Sequence, residues 1–408
     1  MITKIEDYGY DGEGVGKVNG KVCFVPFTII GEKIAFDVVK ENSTFIKGKL
    51  SKVIEKASER YLPRCEYFGR CGGCAYQHLS YENELDIKRM LLLRQLKKAG
   101  FAGQIEVIAS PQEYNYRNKV RLFVGHNGVG YKERESSNIC SISHCEIAES
   151  MISGALSYIN EYIKNNKLQN IIDSIVIRCE GENGLINFFV KKENVCNYQG
   201  IYLVLGENWG IFETCKDKTY HKLGIKELQM SEFGLKLEYN VCSFHQVNRY
   251  IEKLLYQKVI ESVSEKSVVN CYSGAGLLSV LLAKAGKNVE AIELGETEHR
   301  EAERLKDKNN IKNLKNYQGD CQIVLPKLDC KDKTIIVDPP RNGMSKGVST
   351  TLNECGARQI IYISCNSASL VRDINLLKNY KLKKVYLFDM FARTGEYECL
   401  CLLSPIID

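Results

Sequence analysis

"VVNCYSGAGLLSVLLAKAG", residues 268–286, decides the fold. A β-branched run stops at Cys271-Tyr272, glycines follow at 274 and 276, and an apolar helical pattern starts at Leu277. Strand, glycine turn and helix make the opening unit of a nucleotide-binding α/β sheet, because glycine lets the chain turn tightly and brings a ligand against the helix start. The next strand-like run, "NVEAIE", ends in Glu293, and an acid there suits a ribose diol. The third glycine of a dinucleotide fingerprint would fall at 279, which is Ser. Adenosine without a pyrophosphate fits better, and S-adenosylmethionine (SAM) is the candidate. A plain strand–turn–helix with a surface glutamate is the competing reading of these residues alone.

Outward from this unit, strands and helices alternate through "EHREAERLKDKNN", "KTIIVD", "QIIYIS" and "KKVYLFDM". Such alternation predicts a doubly wound, mostly parallel sheet over residues 241–408. Two strand ends stand out. "IIVDPPRNG" stops at Asp338 before two prolines, which cannot extend a ladder and hold the chain stiffly at the sheet's carboxyl edge. "IIYISCNSAS", residues 360–369, stops at Ser364-Cys365-Asn366. A thiol there is either a small core residue or a nucleophile held at the ligand edge.

Upstream, residues 1–55 alternate short strand-like runs with turn signals such as Asp11-Gly12 and Asn19-Gly20, the pattern of a small antiparallel β-barrel. Residues 56–240 read as a mixed α+β region. It opens with Cys65, Cys71 and Cys74 interleaved with glycines, and a helix ending near Gly100 follows. Three thiols in ten residues suit a metal centre, with a fourth ligand from Cys140 or Cys145. Zinc ribbons prefer two CxxC pairs, and only one is present here.

The bulk numbers agree. A chain of 408 residues exceeds one ordinary core, so two or three domains are expected. The net charge of +6 is compatible with an RNA partner without establishing one. No apolar run reaches the roughly 18 residues of a membrane span, and no leader follows "MITKIEDYGY", so a cytoplasmic monomer with no membrane partner is expected. Of the 17 cysteines most lie singly in apolar strands, as core residues, metal ligands or catalysts rather than disulfides.

"DPPRNG", "YISCN", "SFHQVN" and "FDMFARTGEYE" together resemble the RNA uracil-5-methyltransferase family, over nearly the whole chain. The resemblance implies a Rossmann-like class I methyltransferase domain preceded by an OB-like TRAM barrel that binds RNA. "YFGRCGGCAYQHLSY" resembles the family's iron–sulfur segment, which implies a [4Fe–4S] cluster on Cys65, Cys71, Cys74 and Cys145. It further implies Cys365 as nucleophile on uracil C6 and Glu398 as the base that removes the C5 proton. SAM contacts fall on Gln246, Tyr272, Glu293, Asp320 and Asp338. Arg117, Lys119, Arg121, Arg341 and Asn366 are candidates for RNA or uracil contact, and Phe244 and Phe391 for stacking. The barrel and cluster together point to 23S ribosomal RNA as substrate, with tRNA, or a weakened RNA-binding paralogue, as alternatives. The chain departs from the family pattern at Asn270, Ser273, Ser367, Arg393 and Glu396.

Overall fold

The structure, a computed structural model, describes residues 1–243 and 245–406. Its centre is an eight-stranded sheet in the order Leu314–Gln318, Asn288–Glu293, Ser267–Cys271, Thr334–Val337, Gln359–Ser364, Glu398–Pro405, Tyr380–Phe388 and Ile105–Ile108. The first five strands pair in parallel, and Glu398–Pro405 runs antiparallel to both its neighbours. Alternation along the strands feeds two cores. Val269, Cys271, Ile335 and Val337 face the helices Tyr81–Leu96, Lys346–Glu354 and Ser367–Leu376. Val268, Ile336, Ile361 and Ile363 face the helices Arg249–Ser262 and Leu277–Lys284. Burial on both faces is why these strands read as unbroken apolar runs. The chain reverses winding direction between Ser267–Cys271 and Thr334–Val337, and such a switch point opens a crevice at the carboxyl edge.

The N-terminal strands, from Ile2–Lys4 to Phe45–Glu55, form a six-stranded sheet around Ile5, Cys23, Val25, Ile34, Phe36 and Ile46. It curls on itself, since Thr3 Oγ1 donates to Lys17 O at 3.0 Å and Glu6 N to Val15 O at 2.8 Å. A seven-stranded sheet between Lys119 and Gly224 packs on the helix Ser150–Asn165 around its own core.

The middle region expected over 56–240 is not one body. The helix Tyr81–Leu96 and strand Ile105–Ile108 join the C-terminal sheet, and the hairpin Leu228–Glu232/Leu235–Tyr239 packs into its other face. The helix places Leu92 and Leu96 in the core on one face of that sheet. Ser80 caps it by accepting from Asn83 N, and Gly100, at φ 73°, closes the short 3-10 turn after it.

That helix also carries a buried lysine. Lys88 Nζ donates to Glu84 Oε1 at 2.7 Å and to Asp389 Oδ1 at 2.6 Å, with all three side chains at most 1% exposed. Two carboxylates leave water with the ammonium between them, and Tyr81 Oη and Arg393 N donate to the same pair. Replacing Lys88 by Met is expected to cost about 3–5 kcal/mol, read as a lower urea midpoint. The loss should shrink on acidification, as the stranded carboxyls take up protons; a loss below 1 kcal/mol would refute the bridging role.

Candidate active site and cysteine pocket

Cys365 follows the last residue of the strand Gln359–Ser364 and precedes the helix Ser367–Leu376. The turn is held twice. Ser364 Oγ donates to Asn366 O at 3.0 Å and accepts from Asn366 N at 3.1 Å. Asn366 Oδ1 caps the helix, accepting from Ala368 N at 2.9 Å and Ser369 N at 3.3 Å. Ser367 occupies the first helical position, where proline would be preorganised, and the asparagine cap holds that start without it. The thiol is thus fixed at the sheet edge and half-buried.

Glu398 reaches the same edge from the opposite direction. It is the first residue of the antiparallel strand inserted beside Gln359–Ser364, and Ser364 pairs with Cys399. Cys365 and Glu398 are the next residues beyond that last pair, and the Glu398 carboxyl acts directly on the Cys365 thiol. Asp338 is the third member, just beyond Val337, which pairs with Tyr362. Charge follows geometry. Burial raises the Glu398 carboxyl well above the carboxylate range, and Asp338 and Glu396 add to this. Burial alone raises Asp338 to about 7. Burial, then Glu398, raises the Cys365 thiol to about 11, against the lowering effect of Arg341. Arg341 itself is paired with Glu396 Oε1 at 2.5 Å.

The other expected cofactor residues are distributed unevenly. Tyr272 sits in the left-handed region at φ 60°, an uncommon conformation for a bulky residue and one that clusters at functional sites. Glu293 braces the glycine turn, accepting from Gly274 N at 2.7 Å and Gly295 N at 2.8 Å. Asp320 caps the short helix Cys321–Val324 through Gln322 N at 2.8 Å. Gln246 instead lines a separate pocket of about 10 Å³ with Arg178, Tyr239 and Glu252. One departure is accommodated by packing: Asn270 Nδ2 donates to the buried Ser279 Oγ at 2.8 Å, so the amide at 270 and the hydroxyl at 279 satisfy each other. Phe244 lies outside the described residues, and Phe391 packs against the apolar core.

A cavity of about 620 Å³ opens beside this edge, and it gathers Cys65, Cys71, Cys74 and Cys145 with Arg117, Arg121, Arg134 and the loop residues Thr394–Glu396. Cys140 is fully buried in the core of the middle sheet, paired with Tyr131. Burial raises Cys71 to about 12 and Cys74 further, and the neighbouring thiols add to both. Gln77 Oε1 accepts from Cys65 N at 3.0 Å, and its buried Nε2 has no partner among the described residues. Among the described residues no group of three or more His, Cys, Asp or Glu could hold a metal ion. A single zinc would draw four sulfurs to about 3.8 Å from one another, given Zn–S near 2.3 Å. The thiols here ring a cavity rather than converge on one point.

Of the expected RNA-contact residues, Arg117 and Arg121 line this cavity. Arg121 also stacks on Phe189 at 4.6 Å and donates to Ser174 Oγ. Lys119 turns elsewhere, donating to Ser243 O at 3.2 Å, and burial lowers it to about 8. Asn366 has its amide oxygen occupied by the helix cap; its Nδ2 donates to no protein group among the described residues. Sequence reasoning missed the buried set of Glu84, Lys88 and Asp389 under the loop before Glu398. The signal was present as charges on an otherwise apolar helix face.

Residues 315–406 match the family model described as tRNA (Uracil-5-)-methyltransferase. An uncharacterized RNA methyltransferase of Clostridium acetobutylicum is 29% identical, covering 98% of this chain and 96% of its own length. Another, from Caldanaerobacter subterraneus, is 29% identical, covering 98% and 97%. Among solved structures, the Pyrococcus abyssi tRNA (uracil-54, C5)-methyltransferase in complex with S-adenosyl-L-homocysteine is 25% identical, with a TM-score of 0.81 over 99% of this chain and all of that one. No helix among the described residues is long and apolar enough to cross a membrane.

The raised thiol has a measurable consequence. With Cys365 near 11 in the free protein, roughly one thiol in a thousand is ionised at pH 8. Alkylation of Cys365 by iodoacetamide, followed by peptide mass spectrometry, is expected to accelerate about tenfold per pH unit from pH 7 to 10. A plateau near pH 8 would contradict this environment.

Proposed function

We infer that this chain, which aligns with RNA methyltransferases over its whole length and with the tRNA (uracil-5-)-methyltransferase family at its C-terminus, methylates uracil C5 in RNA with SAM. The nearness of Cys365 and Glu398, the residues next beyond the last pair of one antiparallel strand pairing, carries this reading. Uracil C5 is a poor nucleophile, and a thiolate supplies the missing electron density. Cys365 Sγ adds to C6, making an enolate whose C5 is nucleophilic. SAM supplies the electrophilic methyl that C5 takes. Glu398 then removes the C5 proton, the C5=C6 bond reforms, and the Cys365 thiolate leaves with its electron pair. Asn366 Nδ2 donates to the pyrimidine, and Arg341, released from Glu396, neutralises charge beside the thiolate. Tyr272, Glu293 and Asp338 would hold the SAM adenosine and methionine ends at the switch point. Asp320 and Gln246 are second-rank candidates, because one is engaged as a cap and the other lines a different pocket. A base in folded RNA leaves its stack to reach Cys365, and Arg117 and Arg121 would guide the backbone.

Both reacting groups ionise with difficulty in the free protein, so activity is expected to rise with pH across the neutral range. A rate that falls from pH 7 to 9 would contradict the assigned base.

The curled N-terminal sheet is proposed as the RNA-binding TRAM-like barrel, with residues 56–240 joining it to the methyltransferase domain. The proposed group on Cys65, Cys71, Cys74 and Cys145 is a [4Fe–4S] cluster. Four thiols around a cavity, with the spare Gln77 Nε2 to donate to a sulfur, support that choice over zinc. Such a cluster would tie the cysteine loop to the middle sheet, and methyl transfer asks no electron of it. Protein prepared without air is expected to be brown and to carry about four irons per chain; a colourless protein with one zinc would refute the cluster.

Barrel and cysteine loop favour 23S ribosomal RNA, and the likeness to a tRNA methyltransferase over 99% of this chain favours tRNA. Mapping m5U in tRNA and 23S rRNA with and without the gene separates the two targets. The chemistry is tested directly with RNA containing 5-fluorouracil, whose fluorine blocks proton removal. With SAM, an SDS-stable protein–RNA adduct is expected, lost in Cys365→Ala. An adduct that survives Cys365→Ala would overturn the assignment.

A further inference from the structure

Glu398 stands at one foot of a loop, residues 389–397, whose other foot is Phe388; the two residues pair directly. The apex of that loop is fastened to a segment far away in sequence. Arg393 O accepts from Ala75 N at 2.8 Å and Tyr76 N at 3.2 Å, in the stretch immediately after Cys74. Arg393 N donates to Glu84 Oε1 at 2.7 Å. Its guanidinium donates to Leu79 O at 3.0 Å and pairs with Glu113. The residue is 6% exposed and holds φ 68°, in the left-handed region where a long side chain is strained unless its surroundings fix it.

The rest of the loop is fixed from the same side. Lys88 Nζ donates to Phe391 O at 3.3 Å and to Asp389 Oδ1 at 2.6 Å, and Tyr116 Oη donates to Ala392 O at 2.9 Å. A polar set this buried is worth its desolvation only where it holds one arrangement. The arrangement it holds is the path of the chain into Glu398.

We propose that Arg393 is a positioning residue: by locking the 389–397 loop to residues 75–84 and Glu113, it sets the Glu398 carboxylate for removal of the C5 proton. The proposal rests on the uracil-methylation reading above. Its consequence is step-selective. Thiol addition and methyl transfer depend on Cys365 and the cofactor edge, neither of which the loop carries, although its Glu396 pairs with the Arg341 beside the thiol. Proton removal depends on Glu398, into which the loop leads. A displaced Glu398 leaves the methylated, Cys365-bound uracil unable to eliminate, so the covalent species persists even on ordinary uracil.

Arg393→Lys and Glu113→Gln test this. The first keeps the charge without the fork, and the second removes one partner at a half-exposed position, 38% accessible, where folding is spared. With SAM and ordinary-uracil RNA, both variants are expected to lose kcat, Arg393→Lys by at least tenfold, with KM for RNA within about twofold. Both should accumulate an SDS-stable adduct that wild type does not, as Glu398→Gln should. Folded variants, with wild-type melting curves, that accumulate no adduct would overturn the proposal. So would a loss confined to KM. If wild type forms no Cys365-dependent adduct with 5-fluorouracil RNA, the methylation reading fails and this proposal with it. If wild type does and the variants do not stall, the positioning role alone falls.

Discussion

The insertion of Glu398–Pro405 as an antiparallel strand between Gln359–Ser364 and Tyr380–Phe388 is the constraint on which the site depends. In an all-parallel sheet every strand delivers its C-terminal end to the ligand edge. A single reversed strand delivers its first residue there instead. That topology brings a carboxylate at a strand start to the edge where a thiol stands at a strand end, with the 389–397 loop leading into the carboxylate. Rigid backbone pairing sets reacting groups more finely than loops do.

The same edge explains the electrostatics. Asp338, Glu396 and Glu398 lie near enough to the Cys365 thiol to raise it, with Arg341 the cation acting against them. Burial raises Asp338, Glu398 and the Cys365 thiol, so each of the three holds its proton more tightly than in water. Arg341 is engaged with Glu396 rather than given wholly to the thiol. An RNA that brings its own negative charge competes for Arg341, while a bound sulfonium would favour the ionised carboxylates. Resting restraint and working reactivity then differ by ligands rather than by a refolded site.

Much of this was legible in residues 268–286 and in the two odd strand ends, because parallel strands buried on both faces leave unbroken apolar runs whose stopping points mark the edge. The nearness of Cys365 and Glu398 was not legible from pattern, since strand order and direction are tertiary facts that an eight-residue apolar run does not encode. It entered through family resemblance. The division of residues 56–240 among three sheets was missed for a related reason. The helix Tyr81–Leu96 looks the same in sequence whichever sheet it covers, and only tertiary packing decides its place. Asn270 shows the reverse case: by itself it is a departure, and only its hydrogen bond to Ser279 shows how it is accommodated.

Cys65, Cys71 and Cys74 are far from Glu398 in sequence, and no electron is required by the chemistry, yet they lie within one cavity of the loop that leads to it. The stretch after Cys74 enters the backbone hydrogen bonds of Arg393, and Gly395 lies against Ala75. A centre that orders the cysteine loop would therefore order the loop before Glu398 by continuity of backbone bonds. Backbone continuity thus links the cysteine loop to the stretch of chain that leads into Glu398.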